Sequence, residues 1–196
     1  MNRRTVLVAA IVVAAVAVVW ILVSSARPWR AAPAPAAAPT ADAVPAGPQR
    51  KINATLYYVS EDGLSLPGIG REIPFGEPIV EQARRIVEAQ LAEAPAPYLS
   101  AVPAGTSLRA LFIGERGEAF VDLTGDVRTR HPGGALDELF TTYAIVNAIT
   151  VNLPSITRVQ ILIDGKEADT LAGHVDLRHP LRKNLTWTAL QTDSDQ

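Results

Sequence analysis

Apolar positions change rhythm along this chain, and each rhythm predicts a different element. Residues 5–23, TVLVAAIVVAAVAVVWILV, are nineteen residues without a charge. At about 1.5 Å per residue a helix of that length covers about 28 Å, enough to span hydrocarbon. ATLYYV, residues 54–59, is aromatic and β-branched and is followed by the turn-rich SEDGLSLPG, which makes it a first strand; a short extended piece at residues 71–75 is placed to pair beside it. EPIVEQARRIVEAQLAE puts Pro78 near a helix start and sets Ile79, Val80, Ala83, Ile86, Val87 and Leu91 on one stripe, with Glu81, Arg84, Arg85 and Glu88 opposite. After the proline-punctuated APAPYLSAVPAG, two strands at 108–113 and 118–123 flank a turn containing Gly114 and Gly117. A second amphipathic helix lies in GALDELFTTYAIVNAITVN, with Leu136, Leu139, Phe140, Tyr143, Val146 and Ile149 or Thr150 as its apolar face and Pro154 limiting its extension. RVQILIDG, residues 158–165, is a strand ending in a turn at Asp164 and Gly165.

The order is strand, helix, strand, strand, helix, strand. Each helix shows one stripe to bury, so the expected fold class is α+β, a single sheet with both helices packed on one face. A ferredoxin-like arrangement is the commonest way to satisfy this order; the pattern does not set the strand order.

Charge divides the chain. Residues 51–196 carry 13 Lys/Arg and 19 Asp/Glu, net −6, which argues against a surface that tracks nucleic-acid phosphates. There is no cysteine, hence no disulfide framework, thiolate metal site, cysteine nucleophile or lipidated cysteine. The apolar segment is longer than the core of a secretory signal and carries Trp20, which favours a retained anchor over a cleaved leader. Expected organisation is therefore a cytoplasmic N-terminus (1–4), a transmembrane helix (5–23), a Pro/Ala-rich linker (24–50), one folded domain (51–190) and an acidic tail (191–196). Such a chain is expected to be a single-pass membrane protein, its C-terminal domain outside the cytoplasm.

Several residues invite chemistry. LAGHVDLRHPLRKN, residues 171–184, gathers His174, Asp176 and His179, whose donor atoms suit zinc. In a strand, however, His174 and Asp176 point to one side and His179 to the other, and no third ligand is indicated; a closing strand and loop is the stronger reading. Asp122 and Asp126 flank Thr124-Gly125 as an acid/base pair would, yet carboxylates at strand ends more commonly cap local backbone amides. Asn147, inside an apolar helix, either donates to a partner or satisfies a loop carbonyl. The Ser and Thr hydroxyls lack an identifiable base, since His131 precedes Pro132 in a loop, and Gly68 and Gly70 lack the lysine and helix start of a phosphate loop. No catalytic residue, metal or cofactor is expected.

Together, LYYVSEDG, VPAGTSL at residues 102–108, AFVDLTGD at 119–126, AIVNAITVNLPSITRVQILIDGKE at 144–167 and the closing LAGHVDLRHPL resemble the GerMN domain, found in bacterial spore-germination, sporulation and other extracytoplasmic proteins. The resemblance covers nearly all of residues 52–182. Ala94-Pro95 stands where family members often have Gly-Pro, and an apolar helix replaces the lipid anchor of many members. It implies a non-catalytic module of envelope or sporulation-type assemblies. The expected partners are the lipid bilayer through residues 5–23 and an envelope protein or further copies of the chain, with contact at Asn147, Asp122, His174 and Tyr98. A peptidoglycan- or glycan-binding module is the rival reading, with Tyr57, Tyr58, Tyr98 and Trp187 as stacking platforms.

Overall fold

A computed structural model of the chain describes residues 50–188. The predicted transmembrane segment, the linker up to residue 49 and the acidic tail lie outside the described residues. Among those described, no helix is long and apolar enough to cross a membrane.

The β-branched and aromatic run of residues 51–57 forms β1 (Lys51–Tyr57), which pairs antiparallel with β2 (Gly68–Pro74). The paired piece is longer than expected and starts at a glycine. Gly68 lies opposite Tyr57, and a Cβ there would come within 2.7 Å of the Thr55 side chain and 3.1 Å of the Tyr57 ring, so any larger residue would force those side chains to shift.

The amphipathic stripe read at residues 79–91 is α1 (Ile79–Leu91). β3 (Leu108–Ile113) and β4 (Glu118–Leu123) form the expected antiparallel hairpin, with a bulge at its start between Leu108 and Ala110. A one-turn helix not foreseen in the sequence, α2 (Asp126–Thr129), precedes the long α3 (Ala135–Asn152). α3 is the crossover that returns the chain to β5 (Arg158–Ile163), parallel to β4, and β6 (Lys166–Glu167) folds back through the Asp164-Gly165 turn. Both turn residues have positive φ, 51° and 77°, as a two-residue hairpin turn demands.

The α+β class holds, but the expected single sheet is two: β1-β2, and β3-β4-β5-β6. The cause lies in α3, which has two apolar stripes and not one. Ile145, Val146 and Ile149 join Leu111, Val121, Leu123, Val159 and Ile161 in one core cluster. Phe140, Ala144 and Ala148, spaced by four, join Ala54, Leu56, Tyr58 and Ile73 in the other. α1 divides in the same way, Ala83 and Val87 against Ile86. The helices lie side by side on one face of the four-stranded sheet, and β1-β2 covers their other side.

The expected closing strand is absent. Beyond β6 the chain is irregular and, among the described residues, pairs with the sheet again only at the Val159–Leu181 bridge.

Candidate functional site

The irregular course of residues 170–180 traces to one side chain that sequence reasoning missed. Glu138, on the first turns of α3, is fully buried, and its carboxylate accepts the backbone N–H of Leu171 (2.8 Å) and of His174 (2.7 Å) and lies 3.0 Å from His174 Nδ1. Burial alone would push this carboxyl up, but the backbone N–H groups of Ala172, His174, Val175 and Leu171 outweigh it and hold it below its ordinary value. The loop closes on the carboxylate as a backbone nest closes on an anion, and this curl replaces the strand. A carboxylate inside an apolar helix is the signal that could have found it. The helix Glu138 sits on is buried on both sides, so its charge needs partners supplied by the chain.

His174, Asp176 and His179 are not brought together on a common ligand. His174 turns to Glu138, and Asp176 pairs with Arg178 (2.9 and 2.8 Å), whose guanidinium holds its carboxyl well below the usual range. Among the described residues no group of three His, Asp or Glu is arranged to hold a metal ion.

Asp122 is buried and caps an amide, though a distant one. It accepts the Gly165 N–H at 2.7 Å, across from β4 to the β5–β6 turn, and faces Arg109 Nη1 at 3.3 Å. Arg109 also approaches Asp164 at 3.8 Å, and Asp164 accepts the Gly125 N–H at 3.1 Å. Asp126 instead pairs with Arg130 one turn on, so Asp122 and Asp126 do not converge on a shared point.

Asn147 resolves towards the loop. Its amide donates to the Asn184 carbonyl (2.8 Å) and accepts the Asn184 N–H (2.9 Å), pinning the C-terminal segment to α3. The same two-way clasp recurs where no sequence signal was read. Asn152 bonds the N–H and C=O of Thr55 (2.9 and 2.7 Å), and Gln90 those of Tyr57 (2.8 and 2.7 Å).

His131 does lie near a hydroxyl, 3.2 Å from Thr141 Oγ1, which the sequence did not disclose. Its Nδ1 accepts the Gly133 N–H, so its Nε2 carries the proton and donates, while Thr141 donates to the Ala101 carbonyl at 2.6 Å. This chain of bonds ties loops together and leaves no base on the buried hydroxyl. Of the aromatic candidates, Tyr57 and Tyr58 are buried, Tyr98 is half-buried and stacks on Tyr58 at 6.5 Å, and Trp187 is exposed beside Phe140. Stacking on a sugar is therefore open to Trp187 and Tyr98 only, among these four.

The outer face of the four-stranded sheet also carries an apolar side chain to the surface. Phe112 stands 61% exposed there, opposite Phe120 on β4. A family profile described as "Germane: Sporulation and spore germination" matches residues 55–169, more than half of the chain. This chain belongs to the Germane family. Two solved structures of GerMN domains share the fold of this Germane domain. The tandem GerMN domains of the sporulation protein GerM from Bacillus subtilis align at 19% identity over 69% of this chain and 46% of that one, with a TM-score of 0.54. The first GerMN domain of the same protein aligns at 18% identity over 68% and 96%, with a TM-score of 0.50. A candidate lipoprotein from Clostridium perfringens aligns at 23% identity over 68% and 88%, with a TM-score of 0.49. The chain thus spans about half of the tandem structure and nearly all of the single domain. Among curated proteins none matches. The matched residues 55–169 include Glu138, Asn147, Asn152 and Asp122, and the partners of Glu138 (Leu171 and His174) and of Asn147 (Asn184) lie beyond them.

Proposed function

We propose that this Germane domain is a membrane-tethered assembly module that binds an envelope protein, or further copies of itself, outside the cytoplasm in a sporulation-type or envelope complex, without catalysing a reaction. In this reading residues 5–23 anchor the chain in the bilayer and the Pro/Ala-rich linker spaces the domain from it. One observation carries the proposal: the buried and half-buried polar side chains most suited to chemistry are spent on the chain's own backbone. Glu138, Asn147, Asn152, Gln90 and Asp122 each hold a loop or a strand edge. Side chains so engaged build surfaces, and a protein that offers surfaces in place of a reactive cleft works by contact.

Crosslinking in native membranes followed by affinity capture of the full chain tests the proposal. The expected result is a stoichiometric envelope protein or a second copy. A chain that captures neither, and runs as a strict monomer in mild detergent, overturns it. A C-terminal reporter active only in the cytosol overturns the topology.

A further inference from the structure

β3 is the outer strand of the four-stranded sheet, and its far edge is unpaired. Gly114 donates to the Glu118 carbonyl, and Phe112 lies opposite Phe120 and Ala110 opposite Asp122, so these three residues face β4. The alternation of an antiparallel ladder then turns the N–H and C=O of Leu111 and Ile113 outward, where they have no hydrogen-bond partner among the described residues. Unpaired backbone groups of this kind template another strand. Leu111 is only 3% exposed because its side chain belongs to the core, so a partner must approach along the edge and not over the face.

The sequence of this edge selects the partner. β3 ends at Ile113, and taken with the two turn residues after it, residues 109–115, RALFIGE, are complementary to their own reverse about Phe112. Antiparallel pairing of two copies places Leu111 opposite Ile113, Ala110 opposite Gly114, and Arg109 opposite Glu115, each match made twice. Hydrogen-bond parity agrees: Leu111 and Ile113 form the bonded pairs, and Phe112 meets Phe112 at a non-bonded pair, where side chains approach most closely. The exposed Phe112 rings then continue the Phe120 rows of both sheets. Arg109 is already held on this face by Asp122 at 3.3 Å and gains a second carboxylate from the other copy.

We propose that β3 pairs antiparallel with β3 of a second copy of this chain, about a twofold axis at Phe112, making one continuous sheet of eight strands. The inference rests on the domain being an assembly module and names its partner.

The chain has no cysteine, so Phe112→Cys supplies a unique thiol whose pairing across the twofold suits a disulfide. The full chain in native membranes is oxidised and compared with Glu72→Cys, exposed on β2. The expected result is a disulfide-linked dimer through position 112, about tenfold above that at 72. Adding Glu115→Arg, or Arg109→Glu, lowers the yield about five- to tenfold, and mixing the two charge variants restores it, since the mixed pair regains both matches. Monomer at position 112, equal yields at 112 and 72, or a dimer indifferent to charge reversal each overturns the proposal. Linkage of position 112 to a different protein also overturns it, while leaving the assembly reading intact.

Discussion

β1 and β3 finish their edges in opposite ways. On the side of β1 away from β2, Thr55 is clasped by Asn152, Tyr57 by Gln90, and Val59 is bridged to Leu99, so alternate residues along that edge are satisfied by helix side chains or loop backbone. On β3 the equivalent groups of Leu111 and Ile113 meet nothing among the described residues. A side-chain amide carries the same donor and acceptor as a peptide, so two residues on α3 and α1 terminate the small sheet on the β1 side and fasten it to the helices in one act. The large sheet leaves the edge of β3 on offer.

The closed side of this contrast depends on side chains that clasp backbone, and removing them breaks it in proportion to the backbone each holds. Glu138→Ala should cost most, about 3–5 kcal/mol in urea unfolding, because the nest of amides at 171–175 loses its anion. Asn152→Ala and Gln90→Ala should each cost about 2–3 kcal/mol and speed hydrogen exchange at the Thr55 and Tyr57 amides, respectively, as each leaves a donor and an acceptor without partners. Acid sharpens the same side. The Glu138 carboxyl is held below its ordinary value of 4.5 in the folded chain, so its contribution is complete above about pH 4.5 and fades as pH falls through the folded value. The urea midpoint should therefore drop on acidification, and drop less in Glu138→Gln. Phe112→Ser marks the open side: at 61% exposure it should shift the stability of isolated molecules by no more than about 0.5 kcal/mol, read from the thermal midpoint at high dilution.

Legibility in the sequence followed locality. α1, the β3–β4 hairpin, β5 and the Asp164-Gly165 turn are set by period and turn chemistry within a few residues of each other, and all stand close to where the pattern puts them. The second sheet was hidden because the second stripe of α3 is made of Ala144 and Ala148, which are small and nearly neutral, and ends in Asn152, which is polar. Burial there is dictated by partners nearly a hundred residues away, since Thr55 and Asn152 are 97 apart. Glu138 was invisible for the same reason: its partners are 33 and 36 residues downstream in a stretch whose histidines suggested metal chemistry instead. Asp122 was read as a cap, and it is one, but the amide it caps lies 43 residues on.

The clasp between Asn147 and Asn184 bears on where the fold ends. Past Asn184 the Trp187 carbonyl takes the Leu66 N–H at 2.7 Å, and its ring leans on Phe140 at 6.3 Å. Residues 181–188 thus act as a belt across the seam between α3 and the loop after β1, and a version of the domain trimmed at the last bridge, Leu181, would leave Phe140 and Leu66 bare to water.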